Sequence, residues 1–318
     1  MRFTLALVLA AAACGCAQAH PGIRLIGESS PAFSALIDLK PVYASAAAVR
    51  VDATAMDRSA LMAALAHNAD VPPDLAVVPH HLLGRLVADD AIHPIKSFVD
   101  DLKLFDPRVV DPQIDLLPSW RELSQYRHQI YGYPVTIVTT RRGLFFSWLT
   151  FAYAFGARIM DSPSGDTYGP VVVNSPVAVA ATEQFVAFQR RTGRMGDTPP
   201  PQANDQRALP LDGDTFVIPA RARHPREAFR VMQQILSNDV QMRMAKSGIL
   251  SPRTSASSDP HATNGRAPIP TIPEAQAIID AMTPTLEQLV SGALTAQQGL
   301  DAVAVELKAL LPTGANGR

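Results

Sequence analysis

The chain has 318 residues, of which 47% are hydrophobic and 18% are charged, so it can bury a large core and we expect two lobes. This composition argues against an intrinsically disordered chain. The formal net charge is −1, which leaves no basic excess for holding nucleic acid or an anionic lipid surface. Aromatic residues make up only 6% of the chain, so rings that stack on a ligand are scarce.

The N-terminal residues have the order of a secretory signal: Arg2, an apolar run over residues 3–13, and then the small residues 17–19. The apolar run is too short to span a membrane. Cleavage after this segment removes Cys14 and Cys16, which are the only cysteines of the sequence. A lipid anchor at one of these cysteines is the alternative, because the residues before Cys14 loosely resemble a lipoprotein cleavage site. We therefore expect an exported protein, periplasmic or extracellular.

The first strand and turn after this segment offer candidate ligand contacts. Residues 23–26 predict a short apolar strand, and Ser30 and Pro31 then predict the cap and first residue of a helix. Glu28 and Ser29 lie in the turn between them. Ligands of open α/β sheets bind beyond the carboxyl ends of strands, so both residues are candidates for ligand binding. A purely structural role at the helix start is the alternative.

A pair of histidines follows another predicted strand. We expect a strand at residues 48–51, a helix at residues 59–67 and a buried strand at residues 74–78, which leads directly to His80 and His81. A neutral imidazole that binds a hydroxylated solute is one interpretation of this pair, and a solvent-exposed loop is the other. A zinc site is not expected, since neither His-x-x-x-His nor His-Glu-x-x-His spacing is present.

The most informative stretch runs from Leu209 to Thr254. It predicts a turn at Gly213-Asp214, a strand at residues 216–218, and a helix capped by His224 with Pro225 in its first turn. A second helix starts near the residues 237–239 and ends at a glycine. One face of the first helix is apolar at helical spacing and comprises Ala228, Phe229, Met232, Ile235 and Leu236.

This order of elements resembles the return crossover of extracellular solute-binding proteins of the sugar type, the maltose-binding-protein-like family 1 that serves ABC transporters. The residues that match the family pattern are Pro210, Gly213, His224, Pro225, Ala228, Leu236, Ser237, Gln241, Ala245, Gly248, Pro252 and Arg253. Asp214 stands where a second glycine is usual. The match is long and ordered, so it indicates the fold more specifically than the ligand.

Other segments carry the same resemblance. Residues 130–135 resemble the family's first hinge strand, with Tyr133 in place of an aliphatic residue, and we expect a valine at Gly132 to weaken binding with little loss of core stability. Residues 174–176 resemble the capped start of a helix. Two family segments are shortened or replaced, at residues 146–150 and 197–206, so the second lobe is expected to be small.

Two helices are predicted at the C-terminal end. Thr271 is expected to cap the first helix, in which Ile278 and Ile279 stand near the position of a sugar-stacking ring in maltose-type members. Residues 295–298 are expected to form a capping box before the second helix. Arg141 or Arg142 could face the cleft, although paired arginines are more often part of a solvated edge.

The resemblance implies an α/β, two-lobe periplasmic binding protein-like fold (type II), with lobes joined by hinge crossings. These crossings, at residues 132–134 and 213–214, are expected to pair with each other. It divides the chain into a signal peptide at residues 1–19, lobe 1 at residues 20–132 and 214–265, and a shortened lobe 2 at residues 133–213 and 266–318. The implied ligand contacts are Glu28, Ser29, His80, His81, Tyr131, Tyr133, Gly213 and Asp214.

The implied function is capture of a small polar solute, a sugar or polyol, by hinge closure of a monomeric component of an ABC importer. The partners would be the solute and the transporter permease, with no nucleic acid, cofactor or metal. A contracted relative that acts as a periplasmic sensor or interaction protein is the alternative. An exported hydrolase is a third possibility, against which the sequence shows neither a Gly-x-Ser-x-Gly elbow nor a phosphate-binding loop.

Overall fold

The computed structural model describes residues 21–101, 103–107, 109, 115–116, 124–127, 129–138, 143–161, 169–193, 209–256, 266–268 and 271–311. The predicted signal peptide, the arginine pair 141–142 and the replaced segment 197–206 lie outside the described residues.

The described strands and helices alternate along the first part of the chain, and helices dominate its C-terminal part. The strands are β1 Gly22–Glu28, β2 Arg50–Met56, β3 Leu75–Pro79, β4 Gln125–Tyr126, β5 Gln129–Ile130, β6 Tyr133–Val138, β7 Leu209–Val217 and β8 Arg266–Pro268. The helices are α1 Pro31–Asp38, α2 Lys40–Ala47, α3 Arg58–Leu65, α4 Leu83–Ala88, α5 Lys96–Val99, α6 Leu144–Ala154, α7 Pro176–Thr192, α8 Pro225–Ile235, α9 Asn238–Lys246, α10 Ala275–Ser291 and α11 Ala296–Leu310, and a single 3₁₀ turn covers His80–Leu82.

One sheet organises the first part of the molecule. Its strand order is β2-β1-β3-β7-β6, and β8 pairs with the early part of β7. β1 is parallel to β2 and β3, whereas β7 is antiparallel to β3 and β6. Because β1, β2 and β3 run the same way, their carboxyl ends lie at one edge of the sheet. Pro79 at the end of β3 pairs with Asp214 in β7, so this part of β7 lies at the same edge.

The two predicted crossing segments lie side by side. Tyr133 of β6 pairs with Phe216 of β7, and Thr136 pairs with Asp214, with an irregularity of register between these pairs. This confirms the predicted pairing of the crossings. The predicted turn at Gly213-Asp214 is wrong, because both residues lie inside β7 and continue its ladder with β6.

Gly132 precedes β6 at a point of close backbone approach. A Cβ atom there would lie 2.6 Å from the carbonyl oxygen of Phe216 and 2.4 Å from Thr215 Cγ2. The expectation that a valine at this position causes little loss of core stability is therefore wrong, since its side chain would push β7 away from its neighbour. Close approach, which glycine permits, is the observed reason for this residue.

Two bodies of apolar side chains form the core. The sheet cluster covers both faces of the sheet, with Leu25 on one face and Ile26 on the other. The helix cluster is formed by α6, α7, α10 and α11 and includes Trp148, Phe185 and Met282. Every residue of α6 is buried, as expected for a helix that is apolar all round.

The predicted helix caps are present where the capping residue and its partner lie within a few residues of each other. Ser30 Oγ accepts a hydrogen bond from the Phe33 N–H at 3.1 Å, and the capping box at Thr295 is present. His224 stands at the N-cap position of α8, but its side chain makes no capping hydrogen bond, so that part of the prediction is wrong. The N–H of His224 instead donates to Asp74 Oδ1 at 2.9 Å. The proposed cap by Thr271 is also wrong, since α10 begins four residues later.

Two smaller boundaries also shift. β2 begins at Arg50 and continues to Met56, which places it later than the predicted strand at residues 48–51. Helix α3 ends at Leu65, two residues before the predicted end. Within the part of the chain that the structure describes, no helix has both the length and the apolar character needed to cross a membrane.

Candidate functional site

Polar side chains from three strands meet at the carboxyl edge of the parallel strands. Glu28 ends β1, and His80 and His81 follow β3 in the 3₁₀ turn. β7 contributes Asp212 and Asp214, which are both almost fully buried. This is the edge at which ligands bind in open α/β sheets.

A buried carboxylate lies next to both histidines. Asp212 Oδ1 is 3.1 Å from His80 Nδ1 and 3.9 Å from His81 Nδ1, and it also accepts a hydrogen bond from the Gly213 N–H at 2.8 Å. Both imidazoles have an exposed fraction of 0%. The alternative of a solvent-exposed histidine loop is therefore wrong. A buried carboxylate needs such partners, because an unpaired charge away from water is strongly unfavourable.

Residues of the helix cluster, and of the segment that leads into α10, contact His80 and His81. His80 Nε2 lies 3.2 Å from Thr271 Oγ1, in the segment that leads into α10. The ring of His81 lies 5.9 Å from that of Phe146 on α6, in a tilted arrangement. Helix α4 touches the same segment at Gly84, where an added Cβ would lie 2.6 Å from the carbonyl carbon of Ile272. The histidines therefore lie where the sheet cluster meets the helix cluster.

A second polar group lies at the carboxyl end of β1 and also contacts α10. Arg58, the first residue of α3, donates from Nη2 to Glu28 Oε1 at 3.1 Å and from Nη1 to Gln276 Oε1 at 3.0 Å. Gln276 lies in the first turn of α10. The side chains of Arg58 and Glu28 keep 31% and 25% of their surface exposed. Unlike the fully buried histidines, this pair keeps part of its surface in contact with solvent.

The remaining predicted contacts occupy different environments. Ser29 is exposed, and its N–H donates to the carbonyl oxygen of Met56 at 2.8 Å. Tyr131 is partly buried, and its hydroxyl donates to Gln129 Oε1 at 3.3 Å. Tyr133 belongs to the sheet cluster and is 4% exposed, so its ring contributes to the core. The ligand role of all eight predicted contacts stays a prediction.

The comparisons with known proteins identify the fold. No protein-family model matches the sequence, and no curated protein does. Solved structures do match. An ABC transporter solute-binding protein from Thermotoga lettingae, bound to α-D-tagatose, is 13% identical with a TM-score of 0.73 over 92% of this chain and 100% of the other. A solute-binding protein from Agrobacterium radiobacter, bound to ribitol, is 15% identical with a TM-score of 0.68 over 91% and 98%.

A third match is the maltose-bound MalE3 of T. maritima, which is 14% identical with a TM-score of 0.65 over 91% of this chain and 100% of the other. The chain has a two-lobe, type II periplasmic binding protein fold. The contacts of His80, His81 and Arg58 join the sheet and α3 to α6, to α10 and to the segment before α10.

Several residues of this candidate site were missed from the sequence. Asp212 carried a usable signal, because it stands two residues before Asp214 and so shares a face of the strand with it. Arg58 follows Asp57, whose side chain caps α3, and nothing in that local pattern points to a cleft. Gln276 and Phe146 reach the site only through the packing of α10 and α6, which no local spacing predicts.

No metal site was predicted, and among the described residues no group of three histidine, cysteine, aspartate or glutamate side chains is arranged to hold an ion. The candidate site comprises the fully buried carboxylate–imidazole group of Asp212, His80 and His81 and the partly exposed Glu28–Arg58 pair.

Proposed function

We propose that this protein is the solute-binding component of an ABC importer and captures a small polar solute, a sugar or polyol, between its two lobes. The observation that carries the proposal is the accessible Glu28–Arg58 pair at the sheet edge, which is connected to α10 of the other lobe through Gln276. Structural neighbours with the same fold are bound to tagatose, ribitol and maltose, which supports this class of solute.

Hydrogen bonding is the chemistry that this site offers. Glu28 has carboxylate oxygens that accept from hydroxyl groups, and Arg58 has N–H groups that donate to them. Each well-placed bond to a partly desolvated group contributes about 1 to 3 kcal/mol to discrimination between solutes. Among the described residues few rings are placed for stacking, because Tyr133 faces the core and α10 offers Ile278 and Ile279, both of which belong to the helix cluster.

Closure of the lobes is the proposed mechanism. We place lobe 1 at residues 20–132 and 214–265 and lobe 2 at residues 133–213 and 266–318, so the boundaries fall at the paired crossing strands β6 and β7. Hinge closure around a ligand is the type of motion known for periplasmic binding proteins. The closed pair of lobes would then present a surface to the permease, and we propose binding without turnover.

Export is part of the same proposal. The apolar run over residues 3–13 and the small residues 17–19 support a signal peptide at residues 1–19. Intact-mass measurement of the exported protein distinguishes the soluble form, which begins at His20, from a lipid-anchored form that begins at Cys14 or Cys16.

The direct test of the function is a melting-temperature panel of sugars, polyols and sugar phosphates, followed by calorimetric titration of the best solute. A ligand that binds only the native state raises the melting temperature by mass action. A shift with at least one member and no chemical change in that solute supports the proposal. A flat panel favours the sensor or interaction protein, and conversion of any member favours a hydrolase.

A further inference from the structure

The ion pair at the sheet edge has spare hydrogen-bonding capacity. The guanidinium of Arg58 has five N–H donors, whereas its acceptors among the described residues are three oxygen atoms: Glu28 Oε1, Glu28 Oε2 and Gln276 Oε1. Each carboxylate oxygen of Glu28 can accept more than one bond. Since both side chains are partly exposed, a solute in the cleft can reach donors and acceptors together.

The charge of this pair distinguishes neutral from anionic solutes. Glu28 lies within hydrogen-bond distance of Arg58 and compensates its positive charge, so a carboxylate or phosphate that approaches the guanidinium also meets the negative charge of Glu28. A hydroxyl group carries no such penalty, because it accepts from Arg58 and donates to Glu28. A solute with hydroxyl groups on adjacent carbons can accept from Arg58 with one group and donate to Glu28 with the other.

We propose that Glu28 and Arg58 act as the charge-selectivity element of the cleft, which admits neutral solutes with adjacent hydroxyl groups and disfavours their acidic counterparts. Gln276 extends this element to the second lobe. Its Nε2 donates to Asp280 Oδ1 at 2.8 Å, which orients the amide so that Oε1 faces Arg58. This inference rests on the proposed solute-binding function and specifies the class of solute.

Matched pairs of solutes test the selectivity. Calorimetry would compare ribitol with D-ribonate, D-mannitol with D-mannonate, and D-galactose with D-galacturonate, in the wild type and in Glu28→Gln. The wild type is expected to bind the neutral member at least about 10-fold more tightly, a difference of about 1.4 kcal/mol. Glu28→Gln leaves the positive charge of Arg58 uncompensated. It is expected to shift the ratio of the two affinities toward the acid by at least about 10-fold.

Asp89→Asn is the matched control, because it removes the carboxylate from the exposed Arg85–Asp89 pair on and after α4, away from the sheet edge. Its selectivity ratio should equal that of the wild type. If Glu28→Gln does not fold, Arg58→Gln provides the second variant. It should weaken binding of the neutral member about 10-fold, and Arg58→Lys should restore part of the loss.

Two results would overturn the inference in distinguishable ways. If the wild type binds neutral solutes and Glu28→Gln keeps the wild-type ratio, or Arg58→Gln keeps the wild-type affinity, the selectivity element is wrong while the proposed function stands. If neither these pairs nor any other member of the solute panel binds to the wild type, the proposed function fails and the inference fails with it.

Discussion

At the scale of single residues, the site has a buried part and an exposed part. His80 and His81 are fully enclosed beside Asp212, whereas Glu28 and Arg58 are accessible. A substitution at a histidine is therefore expected to lower stability in addition to any effect on binding. A substitution at Glu28 or Arg58 acts on side chains that keep contact with water, and it gives a cleaner measure of recognition.

His81 and Ile279 give a pair of contrasting substitutions. His81→Ala is predicted to lower solute affinity roughly 5- to 150-fold, the effect of about 1 to 3 kcal/mol from a lost hydrogen bond at a buried site. Because the ring is enclosed and contacts Phe146, the variant should also unfold at a lower temperature. Ile279→Ala removes a side chain of the helix cluster and should lower stability by about 2 to 5 kcal/mol with affinity nearly unchanged.

Calorimetric titration of both variants at a temperature where each is folded separates the two effects. An affinity loss in Ile279→Ala together with wild-type affinity in His81→Ala would contradict the assignment of His81 to the site.

The Asp301 carboxyl is expected to make the stability of the fold depend on pH. The Asn174 amide donates to Asp301 Oδ1 at 2.7 Å, and this bond, followed by the bond from Gln297, lowers the pKa of the Asp301 carboxyl. A carboxyl with a lowered folded-state pKa stabilises the fold above its unfolded-state pKa of about 4, and this contribution is lost as pH falls through the folded-state pKa. Asn174→Ala should therefore raise the pKa of Asp301 in an NMR titration. An unchanged pKa would exclude the Asn174 bond as its main cause.

At the scale of elements, the crossing strands β6 and β7 depend on the glycine before β6. Gly132→Ala places a Cβ atom 2.6 Å from the Phe216 carbonyl oxygen, so we expect a loss of roughly 1 to 3 kcal/mol in the free energy of unfolding. Gly22→Ala is the control, because its new Cβ would meet only the flexible end of the Arg50 side chain, at 3.1 Å. Denaturant unfolding of both variants measures the difference, and equal stability would refute the close-approach assignment.

Elements with local signals were predicted well from the sequence. The cap at Ser30 and the capping box at Thr295 each depend on neighbours within a few residues, and both are present. The pairing of β6 with β7 was also predicted correctly, because the two hinge segments resemble those of one family.

Two local features that depend on distant contacts were predicted wrongly. Thr271 has the side chain of a helix cap, yet it lies beside His80, which is 191 residues away in sequence. Gly213-Asp214 has the composition of a turn, yet Asp212 lies beside His80 and the strand continues through both residues. In these places a tertiary hydrogen bond overrides the local preference. The sequence carries no spacing rule that would reveal this effect.

At the scale of the whole molecule, two bodies of apolar side chains meet around one polar junction. The sheet cluster and the helix cluster are connected there by Arg58 with Gln276, by His80 with Thr271 and by the contact of Gly84 with Ile272. The resemblance predicted the two lobes, while the side chains that connect them became apparent only from their packing. We expect solute binding to change the distance between these bodies.

The distance between the lobes is the most direct test of this account. The only cysteines of the sequence are Cys14 and Cys16, so a chain without the predicted signal peptide accepts a single pair of labels at Ala63 on α3 and Glu183 on α7, which are both exposed. Pulsed electron spin resonance would measure the label separation with and without the best solute of the panel. A shorter and narrower distance distribution with bound solute is the predicted result, and an unchanged distribution at saturation would contradict capture by lobe closure.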